Sequence, residues 1–201
     1  MITSRSLIKK SLLLTSLLQT GVFKELMAAD AGDRFKIGAC DWSIGKGSNI
    51  GAFEVAKAIG LDGIMVDMGS VENNLHIRQK EIQNAYLKTS AQTGIAISSL
   101  AMGIYNRIPF HSDERVQEWV KGSVDAAKNL KVKVLLLAFF NASDLRNDNA
   151  RKDAAIKHLQ DLMPYTEANG IILGIESYLD AKEHLEIIDK KEKKNLKVYF
   201  D

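Results

Sequence analysis

The chain has 201 residues, 46% of them hydrophobic, and only two prolines, which excludes low-complexity disorder and allows a sizeable core. Its single cysteine, Cys40, excludes an intrachain disulfide and any CxxC metal site. The formal net charge of +2 belongs to the start of the chain, because Arg5, Lys9, Lys10 and Lys24 against Glu25 leave about −1 beyond residue 29, without the cationic footprint of a nucleic-acid binder.

Residues 1–29 read as an export signal: basic residues precede the apolar run "SLLLTSLLQTGVF", which closes near the small residues Ala28 and Ala29. The stretch "TSRSLIK" also resembles a twin-arginine signal with Ser4 in place of the first arginine. The run is too short to span a bilayer comfortably, so the mature protein, residues 30–201, is expected in the periplasm with no membrane anchor. The alternative for this segment is an amphipathic helix packed on the domain.

Beyond it, short apolar runs rich in β-branched residues alternate with longer segments of helical spacing. The predicted strands are "FKIGAC" (35–40), "GIMVDM" (63–68), "IAISSLAM" (95–102), "VLLLAFF" (134–140), "IILGIES" (171–177) and "KVYF" (197–200). Between them, "GAFEVAKAIG", "EIQNAYLKTSAQTG", "SDERVQEWVKGSVDAAKNL", "ARKDAAIKHLQDLMPYTEANG" and "DAKEHLEIIDKKEKK" predict helices, with Gly60, Gly94 and Gly170 as left-handed caps. Cys40 lies inside an apolar strand and reads as a small core residue.

Repeated βα units with apolar strands imply a parallel sheet covered on both faces, in either an open doubly wound sheet or an eight-stranded barrel. "GKGSNIG" after the first strand has the wrong last interval for a dinucleotide fingerprint. In a barrel the chemistry sits where strands finish, and those positions are Asp41 and Trp42, Asp67, Met102, Asn141, Glu176 and Asp201. Glu176 ends a wholly apolar strand, and Asp201 ends the next; neighbouring carboxylates repel unless a cation or a shared proton holds them. A divalent metal with oxygen donors, Mn²⁺, Mg²⁺, Co²⁺ or Zn²⁺, answers that requirement. Trp42 and Tyr105 are aromatic candidates to stack on a ligand there, and Asp67 and Asn141 are further candidates for binding it. His76 and His111 lie in loops that could reach the site, whereas His158 and His184 fall on helix patterns facing away from it.

"GIESYLDAKEHLEIID" followed by "LKVYFD", with "GLDGIMVDMGS" and "ISSLAMGIYN" earlier, resembles the xylose isomerase-like TIM barrels. Within them the resemblance is to the sugar phosphate isomerase/epimerase group related to ribulose-phosphate, tagatose and psicose 3-epimerases. It implies a metal-dependent reaction on a ketose through an enediolate. In the family the metal ligands are a Glu after strand five, an Asp after strand six, a His after strand seven and a Glu after strand eight. Glu176 would then be first ligand and acid/base, and Asp201 second ligand.

The third and fourth ligands have no counterpart, so the resemblance implies a partial (β/α)8 barrel of about five and a half units, short of the roughly 250 residues of a full one. A truncated barrel without catalysis and an exported sugar-binding protein are the alternatives. An endonuclease IV-like nuclease is the weaker one, because the ends of strands two and three, Asp67 to Gly69 and Met102 to Gly103, carry no histidine. The expected partner is a small-molecule sugar; a homo-oligomer is compatible with the sequence.

Overall fold

In the computed structural model residues 35–188 and 194–200 are described. The expected export signal and Asp201 lie outside the described residues. Six strands alternate with five helices among them: β1 (Gly38–Cys40), α1 (Ala52–Ala58), β2 (Gly63–Asp67), α2 (Lys80–Thr93), β3 (Ala96–Met102), α3 (Val116–Asn129), β4 (Val134–Phe139), α4 (Asn149–Asn169), β5 (Ile172–Ser177), α5 (Ala181–Ile188) and β6 (Leu196–Val198). Every predicted element is present, with ends moved by a few residues. The first strand is shortened from six residues to three, and the last predicted helix, 180–194, is described over Ala181–Ile188.

All neighbouring strands pair in parallel, and their order in the sheet is β1-β2-β3-β4-β5-β6. A doubly wound sheet reverses its strand order at a switch point. No reversal occurs here, so the sheet winds in one sense, as the partial barrel requires.

Alternation along the strands divides the core in two. Ile64 and Val66, Leu100 and Met102, Leu135, Leu137 and Phe139, and Leu173 and Ile175 point to the helices in one large cluster. Met65, Ala101, Leu136 and Ala138 point the other way into a smaller cluster, with Cys40, Phe140 and Tyr199 packed against it. That second set is the inner face of the sheet. The sequence reading of Cys40 as core holds in part: it is half-buried and belongs to the inner layer.

The helix ends follow the sequence. Gly60, Gly94 and Gly170 take φ of 79°, 79° and 66°, the left-handed region that glycine enters without a Cβ penalty. Asp180 and Glu183 form a reciprocal cap on α5: Asp180 Oδ1 accepts the Glu183 N–H at 2.8 Å and Glu183 Oε2 accepts the Asp180 N–H at 3.2 Å. Asp148 caps α4 by accepting the Arg151 N–H at 3.0 Å. Among the described residues no helix is long and apolar enough to cross a membrane.

Candidate active site

The inner-face positions become polar where the strands finish, and there a cavity of about 590 Å³ opens. Its floor is Cys40, Met65, Leu136 and Ala138, and its rim carries Trp42, Ser48, Asp67, Asn73, Arg107 and Glu176. This is the carboxyl end of the sheet, where βα loops assemble sites in barrels.

Glu176 reaches the cavity because it alternates with Leu173 and Ile175, which are both fully buried against the helices. Its strand neighbour is Ala138 on β4, a small residue that leaves room above it. Glu176 is half-buried and also lines a second, more apolar cavity of about 540 Å³ with Phe140, His184 and Tyr199.

Asp67 is tied down rather than open. Its Oδ1 accepts the Ser48 hydroxyl and the Gly69 N–H, each at 2.8 Å, and its Oδ2 accepts the Gly103 N–H at 3.2 Å. Gly103 has to be glycine for this approach, since a Cβ there would lie 2.6 Å from Asp67 Oδ2. Burial pushes the Asp67 carboxyl up, while the hydrogen bonds from Gly69, Ser48 and Gly103 and the charge of Arg107 oppose that shift.

Asp41 lies just behind. Its Oδ2 accepts the Ser48 N–H at 2.9 Å and the Asp67 N–H at 3.1 Å. It is 0% exposed, and its Oδ1 has no hydrogen-bond partner among the described residues. Burial is the main reason its carboxyl is pushed up to about 6; the N–H groups of Asp67 and Ser48 pull it down, and the Asp67 charge adds to the rise.

Of the sequence candidates, Trp42, Asp67 and Glu176 meet at this cavity. Tyr105 does not: it is 0% exposed and packs edge-on against Phe110 with ring centroids 4.9 Å apart, so it serves the core instead of stacking on a ligand. Asn141 begins a short turn after β4 with φ 48°, is exposed, and is not among the residues lining the cavity. His76 packs behind Gly69, where burial lowers its pKa against the raising effect of Asp67. His184 is engaged at both ring nitrogens, by Ser177 Oγ at 2.9 Å and the Asp180 carbonyl at 3.0 Å, which fits a structural role.

The sequence reading did not single out Ser48, Asn73, Asn106 or Arg107, all of which line the cavity. Asn106 Oδ1 is shielded and without a hydrogen-bond partner among the described residues, an acceptor suited to a ligand hydroxyl. A cation one residue beyond the turn after β3, on a face otherwise acidic, was the signal available for Arg107.

Among the described residues no three His, Cys, Asp or Glu side chains group as metal donors. Of the two expected ligands, Glu176 stands at the cavity, and Asp201 lies outside the described residues. What the cavity residues can do themselves is accept hydroxyl hydrogens, present apolar faces through Trp42 and Phe140, and offer a carboxylate at Glu176 to take or return a proton.

The sequence profile described as xylose isomerase-like TIM barrel matches residues 53–201. The chain belongs to that family. No curated protein matches it. Similar solved structures include a xylose isomerase domain protein from Planctomyces limnophilus, at 17% identity and TM-score 0.65 over 83% of this chain and 63% of that one. A D-psicose 3-epimerase determined in the presence of D-fructose is similar at 16% identity and TM-score 0.64, over 82% of this chain and 62% of that one. A xylose isomerase-like TIM barrel protein from Mycobacterium smegmatis in complex with magnesium is similar at 18% identity and TM-score 0.62, over 81% and 63%. At these identities the likeness concerns the fold, and the chain spans less than two thirds of the length of these three structures.

Proposed function

We propose that this chain carries the ketose-binding face of a sugar isomerase or epimerase, with Glu176 as the acid/base. The observation that carries the reading is the position of Glu176, a carboxylate on the inner face of an apolar strand, opening onto a cavity lined by hydroxyl, amide and aromatic groups. In that place a bound ketose can lay its carbon skeleton against Trp42 and Phe140 and its hydroxyls toward Asn73, Asn106 and Asp67. Glu176 then takes the proton from the carbon beside the carbonyl, leaving an enediolate; from its own face it can return that proton to the neighbouring carbon, while epimerisation takes a proton on the opposite face from a second acid, the role the resemblance gives to a further glutamate.

Family membership and the likeness to a D-psicose 3-epimerase support the reading. It includes a divalent cation with Glu176 and Asp201 among its donors, as the resemblance implies, and a similar solved structure is a magnesium complex. It also includes export through residues 1–29 and, with it, an unphosphorylated sugar as substrate. A second reading is sugar binding without turnover at the same cavity, which needs only the hydroxyl, amide and aromatic groups that line it.

The test is incubation with a panel of ketopentoses and ketohexoses, with Mg²⁺, Mn²⁺, Co²⁺ or Zn²⁺ or with chelator, and chromatographic detection of epimer or aldose. Product with the natural chain and none with Glu176→Gln is expected. Binding without product selects the second reading, and absence of binding refutes both.

A further inference from the structure

Ser48 lies in the loop that brings Trp42 and Gly47 to the cavity, and its φ is 53°, in the left-handed region. A side chain there is disfavoured and persists only where the surroundings impose it. Two carboxylates impose it here: Asp41 Oδ2 holds the Ser48 N–H and Asp67 Oδ1 holds its hydroxyl. The same Asp41 oxygen also holds the Asp67 N–H, so one buried group fixes both the loop and the end of β2.

Asp41 is fully buried and does not line the cavity, so it has no contact with a ligand there. Its choice as a carboxylate is costly. An asparagine could accept both N–H groups through one oxygen without burying a charge. The acid differs from the amide in having an oxygen where the amide has an NH₂, and in a charge that strengthens those bonds and is lost on protonation.

We propose that Asp41 is a positioning residue, which acts through Ser48 and Asp67 to hold the loop bearing Trp42 over the cavity, in a position that depends on whether Asp41 carries its charge. The claim about the loop stands by itself; only its ligand readout rests on the ketose reading. The groups around Asp41 are Asp67 on β2, whose negative charge favours its protonation, and Tyr86 on α2, whose hydroxyl burial and both carboxylates push up. His76 in the turn 76–78 faces Asp67, and Arg107 after β3 bears on Asp67 as well. With its carboxyl raised to about 6 by burial, Asp41 changes charge in mildly acidic solution.

The experiment follows tryptophan emission from pH 4.5 to 8 in the full chain and in Asp41→Asn. The chain has two tryptophans, and Trp119 is buried in α3, so the difference between the two proteins reports Trp42. A transition centred near pH 6 in the natural chain and absent from Asp41→Asn is expected. Alongside, Asp41→Ala should bind a ketose about tenfold more weakly at pH 8, the worth of a charge-assisted hydrogen bond, and Asp41→Asn should restore most of that affinity. A flat emission profile in the natural chain, a transition that survives in Asp41→Asn, or undiminished binding by Asp41→Ala overturns the proposal. The emission needs no ligand, so failure to bind any ketose refutes the cavity reading alone and leaves the role of Asp41 to be decided by the titration.

Discussion

Replacing Asp41 by asparagine should make stability relative to the natural chain depend on pH, the amide gaining on the acid as pH rises from about 4 through 6. The carboxyl stands at about 6 in the folded chain against 3.8 ordinarily, and each tenfold change in protonation is worth about 1.4 kcal/mol. Ionising Asp41 therefore costs the folded state about 2–3 kcal/mol relative to the unfolded one. The sign follows from proton binding. Between about pH 4 and 6 the folded chain holds more protons than the unfolded chain, so the contribution of this group is fully present below pH 4, falls as pH rises through 6, and is constant above it. Asparagine keeps the shape and the acceptor oxygen but does not titrate. Urea unfolding should accordingly show the stability of Asp41→Asn minus that of the natural chain rise by about 2–3 kcal/mol from pH 4 to pH 7.5, near 1 M in midpoint for a slope of about 2 kcal/mol per M. A difference that stays constant with pH, or that falls as pH rises, would refute the reasoning, because it would mean that Asp41 is not forced toward its neutral form by burial.

Ser48→Ala should lose about 1–2 kcal/mol in the same assay by removing the hydroxyl from Asp67, whereas Ser48→Gly should recover about 1 kcal/mol of that through relief at φ 53°. Equal losses for the two would show that the left-handed backbone is not strained. Gly103→Ala places a Cβ 2.6 Å from Asp67 Oδ2, and the displaced carboxylate should cost about 1–3 kcal/mol and weaken ketose binding; unchanged calorimetric unfolding would contradict the close approach. Cys40 forms part of the cavity floor, so a saturating ketose should slow its alkylation by iodoacetamide, and an unchanged rate would place the sugar elsewhere.

The strands and helices were legible because each carries its own signal. Apolar β-branched runs between glycine-capped helices left one pattern of repeated βα units, and its place at the end of an apolar strand marked Glu176, whose position on the inner face the structure adds through its alternation with Leu173 and Ile175. The choice between barrel and doubly wound sheet was not legible locally, since both contain the same units; strand order decided it. Tyr105 shows where strand-end reasoning loses its grip. Three residues past β3 the chain has entered a turn, and the ring follows the larger apolar volume beside Phe110 instead of the cavity. The Asp41, Ser48 and Asp67 network was hidden for a different reason: its members are 7 and 26 residues apart from Asp41, and the left-handed turn at Ser48 that joins them is dictated by the contacts it makes.

The central claim is that Glu176 exchanges the proton beside a ketose carbonyl, and proton NMR in deuterium oxide tests it without needing net product. Ketoses held with the natural chain and divalent cation should lose the signal of the hydrogen on the carbon next to the carbonyl, while those held with Glu176→Gln keep it. Retention of that hydrogen with the natural chain, or equal loss with both proteins, would contradict the account.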